Sequence, residues 1–205
     1  MNLRKHADSI PELGGGGRTC GDRLIELAAA VPSGQAIVEI APWFGSASAY
    51  LALGIMQGGH DVALHAFDRW VIDEHWQEKA RIHNELEFPI GTDLEPRWLH
   101  NMEPFLIKCY PHKGDIRKAK WNGEPIGLLV DDISNTKSLI NSTMRIFGPS
   151  IVPGAKVVLM DWQFFLGPQE EFMRDNCDAF AYEECLPRPS MAAIFSRLEE
   201  DIVCE

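Results

Sequence analysis

Short apolar runs and helically spaced apolar positions alternate along almost the whole chain. "QAIVEIA" (35–41) is continuous and apolar except at Glu39, the pattern of a strand covered on both faces. "SASAYLALGIMQGG" (46–59) follows as a helix, with Gly58-Gly59 as its stop. "HDVALHAFD" (60–68) reads as a second buried strand, "LIKCYPHKGD" (106–115) as a third strand and loop, and "PIGLLVDD" (125–132) as a fourth. "VPGAKVVLMDW" (152–162) starts with a proline-glycine turn and gives the fifth. Helices are expected over 19–31 (Leu24, Leu27, Ala28, Val31), within 73–87, over 138–151 and over 167–177. The tail from 178 to 200 reads as two strands joined by "LPRPS".

The order is β-α-β-α-β-(α)-β-α-β-α-β-β. Strands alternating with helices imply a parallel sheet wrapped on both faces by right-handed crossovers. The last two strands add an antiparallel hairpin. The expected fold is therefore a three-layer α/β domain. No linker is long enough to divide the 205 residues, so one domain over 1–205 is expected. Residues 1–18 are a polar N-terminal segment, closed by "GGGG" (14–17), flexible or facing the acceptor.

Charge and cysteine usage narrow the partners. The net charge of −11, from 19 basic and 30 acidic residues, repels phosphate backbones and argues against nucleic acid. Five scattered cysteines without a CxxC pair argue against a zinc site or a disulfide framework. No apolar run approaches the roughly 20 residues that span a bilayer, and the first residues lack an apolar signal core. A cytoplasmic protein with no membrane partner is the resulting expectation; a homo-oligomer is left open.

Acids collect where the strands end. Glu39, Asp68, Asp131 and Asp161 close strands one, two, four and five, and Asp115 follows strand three. Ligands of open parallel sheets bind past these ends. Each acid alone also reads as a cap for the next helix, Asp132 and Asp161 above all. "APWFGSAS" (41–48) has a single glycine, so the GxGxxG dinucleotide turn is absent, as is GxxxxGK[ST]. What remains suits a ligand with a cationic amino-acid end and a ribose. An acid 23 residues after Gly45, Asp68, can accept both ribose hydroxyls.

"VEIAPWFGSASAYLA" resembles the first motif of class I S-adenosylmethionine-dependent methyltransferases, "LHAFDRW" the second, and "HKGDI" the acidic adenine-side motif. "IGLLVDD" and "GPSIVPGAKVVLMDW" resemble the fourth-strand motif and the one after it, nearest the branch of macrocin O-methyltransferase and cephalosporin-hydroxylase-like proteins. The resemblance covers residue 20 onward and implies a Rossmann-like seven-stranded sheet in the order 3-2-1-4-5-7-6. It implies S-adenosylmethionine as cofactor and methyl transfer to a small molecule, a hydroxyl above all.

By the same resemblance Glu39 lies near the methionine end, and Ala41, Pro42, Gly45 and Ser46 form the turn beneath the ligand. Asp68, with Arg69 beside it, takes the ribose, and Asp115 the adenine amino group, with Gly114 and Ile116 flanking the base. Asp131 stands closest to the methyl group, as cofactor ligand and as first candidate for the catalytic base. Three positions depart from the pattern. Ala41 replaces a glycine, Ser134 a histidine, and Trp162 the acid or amide of metal-dependent relatives. Asp131 and Asp161 alone make a thin magnesium site, so metal dependence is not expected. A cofactor-binding module without turnover is the alternative, and a protein for another adenosine ligand a weaker one.

Among the histidines, His65 is expected in the core and His112 in solvent or on the substrate side as a base. Trp43, Trp70 and Trp162 each follow a strand end and could wall the site or contact a sulfonium. The acceptor side is expected from the N-terminal segment and the stretch 70–105, which holds no readable motif.

Overall fold

The structure, a computed structural model, describes residues 1–12, 16–162, 166–186 and 191–204. Five parallel strands form the core of the sheet: β1 (Ala36–Ile40), β2 (Ala63–Asp68), β3 (Lys108–Lys113), β4 (Ile126–Asp131) and β5 (Ile151–Leu159). β6 (Phe180–Cys185) and β7 (Ala193–Arg197) complete it, with β7 antiparallel to both β5 and β6. The order β3-β2-β1-β4-β5-β7-β6 agrees with the sequence expectation. Most of the "LPRPS" connection, 187–190, lies outside the described residues.

One face of the sheet carries α1 (Leu3–Ser9), α2 (Gly16–Ala29), α3 (Ser46–Gly58) and α5 (Glu95–Met102). The other carries α6 (Lys137–Phe147) and α7 (Leu166–Asp175). Two-residue periodicity decides which side chains meet which layer. Ile37, Leu64, Ala66, Leu128 and Val130 pack toward α2 and α3; Val38, Phe67, Leu129 and Val157 pack toward α6. Burying each of these side chains other than Ala66 contributes about 1.5–3 kcal/mol.

Two helices are missing from the sequence expectation. α1 is only 7 residues long and buries a single alanine, and α5 buries only Trp98 and Met102. α4 (Glu74–Asn84) lies within the expected 73–87, capped by the Asp73 side chain. α6 stops at Phe147, where a 3-10 turn (Gly148–Ser150) leads directly into β5. Its cap is Thr136, whose side chain accepts from the Leu139 N–H, so neither Asp131 nor Asp132 serves as cap. The start of α7 adjoins undescribed residues, and the capping reading of Asp161 lies there.

Candidate functional site

The carboxyl ends of the strands are stitched together beyond the regular ladder. The Ala41 N–H donates to the Phe67 carbonyl, Gly114 N–H to Asp68, Asp132 N–H to Ile40 and Met160 N–H to Asp131. Above them opens a cavity of about 540 Å³. That volume lies within the roughly 300–1,000 Å³ of small-molecule sites.

The β1 turn forms the floor. Ala41 and Trp43 hold φ of 61° and 53°, left-handed values that cost non-glycine residues free energy and persist only where packing enforces them. The positive φ at Ala41 is the physical reason a glycine would be at ease there. Gly45, at φ 93°, needs its missing side chain for a different reason. A Cβ there would lie 2.9 Å from Trp98 Cδ1, and Gly45 does not line the cavity. On the side a Cβ would take, the tight turn therefore accommodates a tryptophan of α5. Ala41, Pro42 and Ser46 do line the cavity.

Glu39 points to the same face as Ile37, toward α3. It is 1% exposed, lines the cavity and accepts from the Ser48 hydroxyl. Burial pushes its carboxyl up to about 8, against the pull of the Ser48 hydrogen bonds. Asp68 ends β2 and accepts from the Trp70 N–H at 2.7 Å and the Trp43 N–H at 3.4 Å. It thus ties the β1 turn to the β2 end. Burial pushes Asp68 up, and those amides pull it back. Arg69 lines the cavity but points its guanidinium to Asp73, 2.8 Å away.

On the far side of β2, Gly114, Asp115 and Ile116 line the cavity together. Asp115 is held by the Arg117 side chain and amide, which bring its carboxyl down to about 2. Its charge is permanent near neutral pH.

Asp131 sits apart from these residues. It is fully buried and absent from the cavity wall. By the strand's alternation it faces the α6 layer, where its oxygens accept from the Ile133 and Ser134 amides and the Ser134 hydroxyl. It anchors the loop before α6. Ser134, at the expected histidine position, is the partner of that anchor.

One residue later the chain has left the strand, and Asp132 opens onto the cavity. Its side chain is exposed to the open cavity. Crowding by the protein around it and the nearby Asp161, Asp131 and Glu39 raise its proton affinity, with Lys79 pulling back. Asp161 also lines the cavity, raised by burial and lowered by Lys79.

The wall opposite the strands was not legible in the sequence. His75, Trp76 and Lys79 of α4 enter the cavity, as do Pro11, Glu12 and Gly17 of the N-terminal part. Lys79 sits 5.0 Å above the Trp76 ring, which packs 5.4 Å from Trp43. Trp43 and Trp70 line the cavity; Trp162 packs on Phe195 instead. His112 is not a wall residue. Its Nε2 lies 2.9 Å from His65 Nδ1, and the ring stacks on Phe67, so the half-buried His112 of edge strand β3 pairs with the buried His65 of β2. Helical spacing around Trp76 and Lys79 (i, i+3) was the available signal, but it did not say which face meets the sheet.

No protein-family profile and no curated protein matches the chain. Solved structures do match in fold. The O-methyltransferase NovP aligns with a TM-score of 0.67 at 13% identity, over 88% of this chain and 80% of that one. A TDP-rhamnose 3'-O-methyltransferase of calicheamicin biosynthesis gives 0.57 at 15%, over 88% and 77%. An rRNA methylase from Streptococcus thermophilus gives 0.51 at 13%, over 85% and 94%. The fold is that of the class I S-adenosylmethionine-dependent methyltransferases. The solved structures alike in fold include a methyltransferase for TDP-rhamnose and an rRNA methylase. Among the described residues no group of three or more His, Cys, Asp or Glu is arranged to hold a metal. No helix there is long and apolar enough to cross a membrane.

Proposed function

We propose that the chain binds S-adenosylmethionine in this cavity and transfers its methyl group to a hydroxyl of a small molecule. The observation that carries the reading is the single cavity joining the β1 turn, Asp68 and the Gly114–Ile116 segment. A ribose has its carboxylate there, and an adenine has an apolar flank in Ile116 and an acceptor in Asp115. Asp68 keeps lone pairs free beyond its two amide contacts. The strained turn at Ala41 and Trp43 holds backbone close to the ligand without phosphate-binding glycines.

When bound, the cofactor supplies a sulfonium whose methyl carbon is already activated, so the protein mainly positions the acceptor. Asp132 is the proposed base in place of Asp131. It lies in the cavity, and its raised proton affinity suits it to take the hydroxyl proton as the oxygen becomes nucleophilic. Lys79 sets the charge opposite Asp132 and Asp161. Trp43 and Trp76 offer flat apolar walls for a planar acceptor. The net charge of −11 favours a small acceptor over RNA. No metal enters this scheme, and Trp162 turns away from the cavity.

The test is transfer of labelled methyl from S-adenosylmethionine to a panel of hydroxylated small molecules, with and without chelator. The reading expects label in at least one product, unaffected by chelation. Cofactor binding without label in any acceptor would favour a binding module, and loss of activity in chelator restored by Mg²⁺ would show a metal enzyme.

A further inference from the structure

We propose that Glu12 recognises the α-ammonium of the cofactor's amino-acid end, which makes the N-terminal segment part of the cofactor site. The inference rests on the cofactor reading above and deepens it. The sheet order sets the direction of the ligand. Asp115 follows the edge strand β3, Asp68 ends β2, and Glu39 lies in β1, so the amino-acid end lies over β1, on the face where Glu39 meets Ser48 of α3.

At that end the cavity wall is Glu39, Ser46, Ala47, Gly17 and Glu12. Glu12 is far from every motif in the sequence, yet its carboxylate is held in place. Its Oε2 accepts from the Arg18 N–H at 2.7 Å and the Ser46 hydroxyl at 3.3 Å. Its backbone carbonyl accepts from Asn84 Nδ2 at 2.9 Å, which fixes the segment to the end of α4. The side chain is only 13% exposed. The cation paired with it among the described residues, Arg18, is half exposed and 3.9 Å away at Nε, a contact worth little in water.

Gly17 shows how tightly the parts fit. A Cβ there would lie 2.9 Å from Ser46 Oγ and 3.2 Å from Glu12 Oε2. Glu39 cannot meet the ammonium alone, because the Ser48 hydroxyl and amide already occupy its carboxylate and burial favours its neutral form. Glu12 retains open lone pairs and faces the cavity, so it supplies the missing negative charge. The Ser46 and Ala47 amides, in the first turn of α3, have no helical acceptor and suit the α-carboxylate of the same group. A zwitterion thus finds an acid for one charge and amides for the other.

The test compares two ligands on wild type and Glu12→Gln by titration calorimetry. S-adenosylhomocysteine carries the amino-acid end; 5'-methylthioadenosine has the same adenine, ribose and sulfur without it. Gln keeps an oxygen for Arg18 and Ser46, so the variant's melting temperature should match wild type. The expected result is about a tenfold or greater loss for S-adenosylhomocysteine and no loss for methylthioadenosine. An equal loss for both ligands, no loss, or tighter binding overturns the role of Glu12. Wild type that binds neither ligand overturns the cofactor reading itself.

Discussion

The two halves of the cavity differ in what built them. The floor consists of strand ends and the turns directly after them, so its residues are fixed by the sheet: Glu39 and Asp68 share one face by alternation, and the Asp68 carboxylate bridges both turns. The roof consists of α4 and the N-terminal segment, held by contacts between residues far apart in sequence. Asn84 meets Glu12, His6 meets the Asn101 carbonyl, and Tyr50 meets Asp8. On the proposed reading the floor holds the cofactor's ribose and adenine, and the roof adds Glu12 at its amino-acid end and chooses the reaction partner. The comparison also shows how one residue of register separates structure from chemistry, since Asp131 belongs to the α6 layer and Asp132 to the cavity.

The sharpest way to break that contrast is to exchange the roles of the two neighbouring acids. Asp132→Asn should lower transfer about 10²–10⁴-fold at saturating cofactor, with cofactor affinity retained. Asp131→Asn should leave the saturated rate near wild type and cost about 1–2 kcal/mol of stability, because the Ser134 hydroxyl loses its carboxylate partner. Rates measured with the effects reversed would return the base to Asp131.

A smaller effect is expected where the floor meets α5. Gly45→Ala strains the backbone at φ 93° and pushes on Trp98, whose Nε1 donates to Ser48. The loss should be about 1–3 kcal/mol from backbone strain, read as a lower melting temperature. Because Gly45 does not line the cavity, the folded variant should bind cofactor within severalfold of wild type. A large affinity loss in a protein of unchanged stability would mean the turn contacts the ligand there after all.

Most of the sheet was legible because buried strands announce themselves as apolar runs and their order follows from alternation with helices. Glu39, Asp68 and Asp115 were legible for the same reason: each sits at or beside a strand end. Three kinds of feature were not. β4 does end at Asp131, as the sequence indicates, but the end of a strand does not say which layer its last side chain meets, and adjacent residues take opposite faces. Gly45 was read as ligand-facing because nothing nearby in sequence announces Trp98, which is 53 positions away. Glu12, Trp76 and Lys79 lie in stretches without a motif, and only the folded chain shows that they converge. α1 and α5 are too short to carry a clear period.

The most direct test of the central claim, that this cavity holds S-adenosylmethionine with its ribose on Asp68, is calorimetry of S-adenosylhomocysteine binding to wild type and Asp68→Ala. The account predicts measurable binding to wild type and an affinity about 10- to 150-fold weaker in the variant, with the fold intact by circular dichroism. Equal affinity in the two proteins would contradict it.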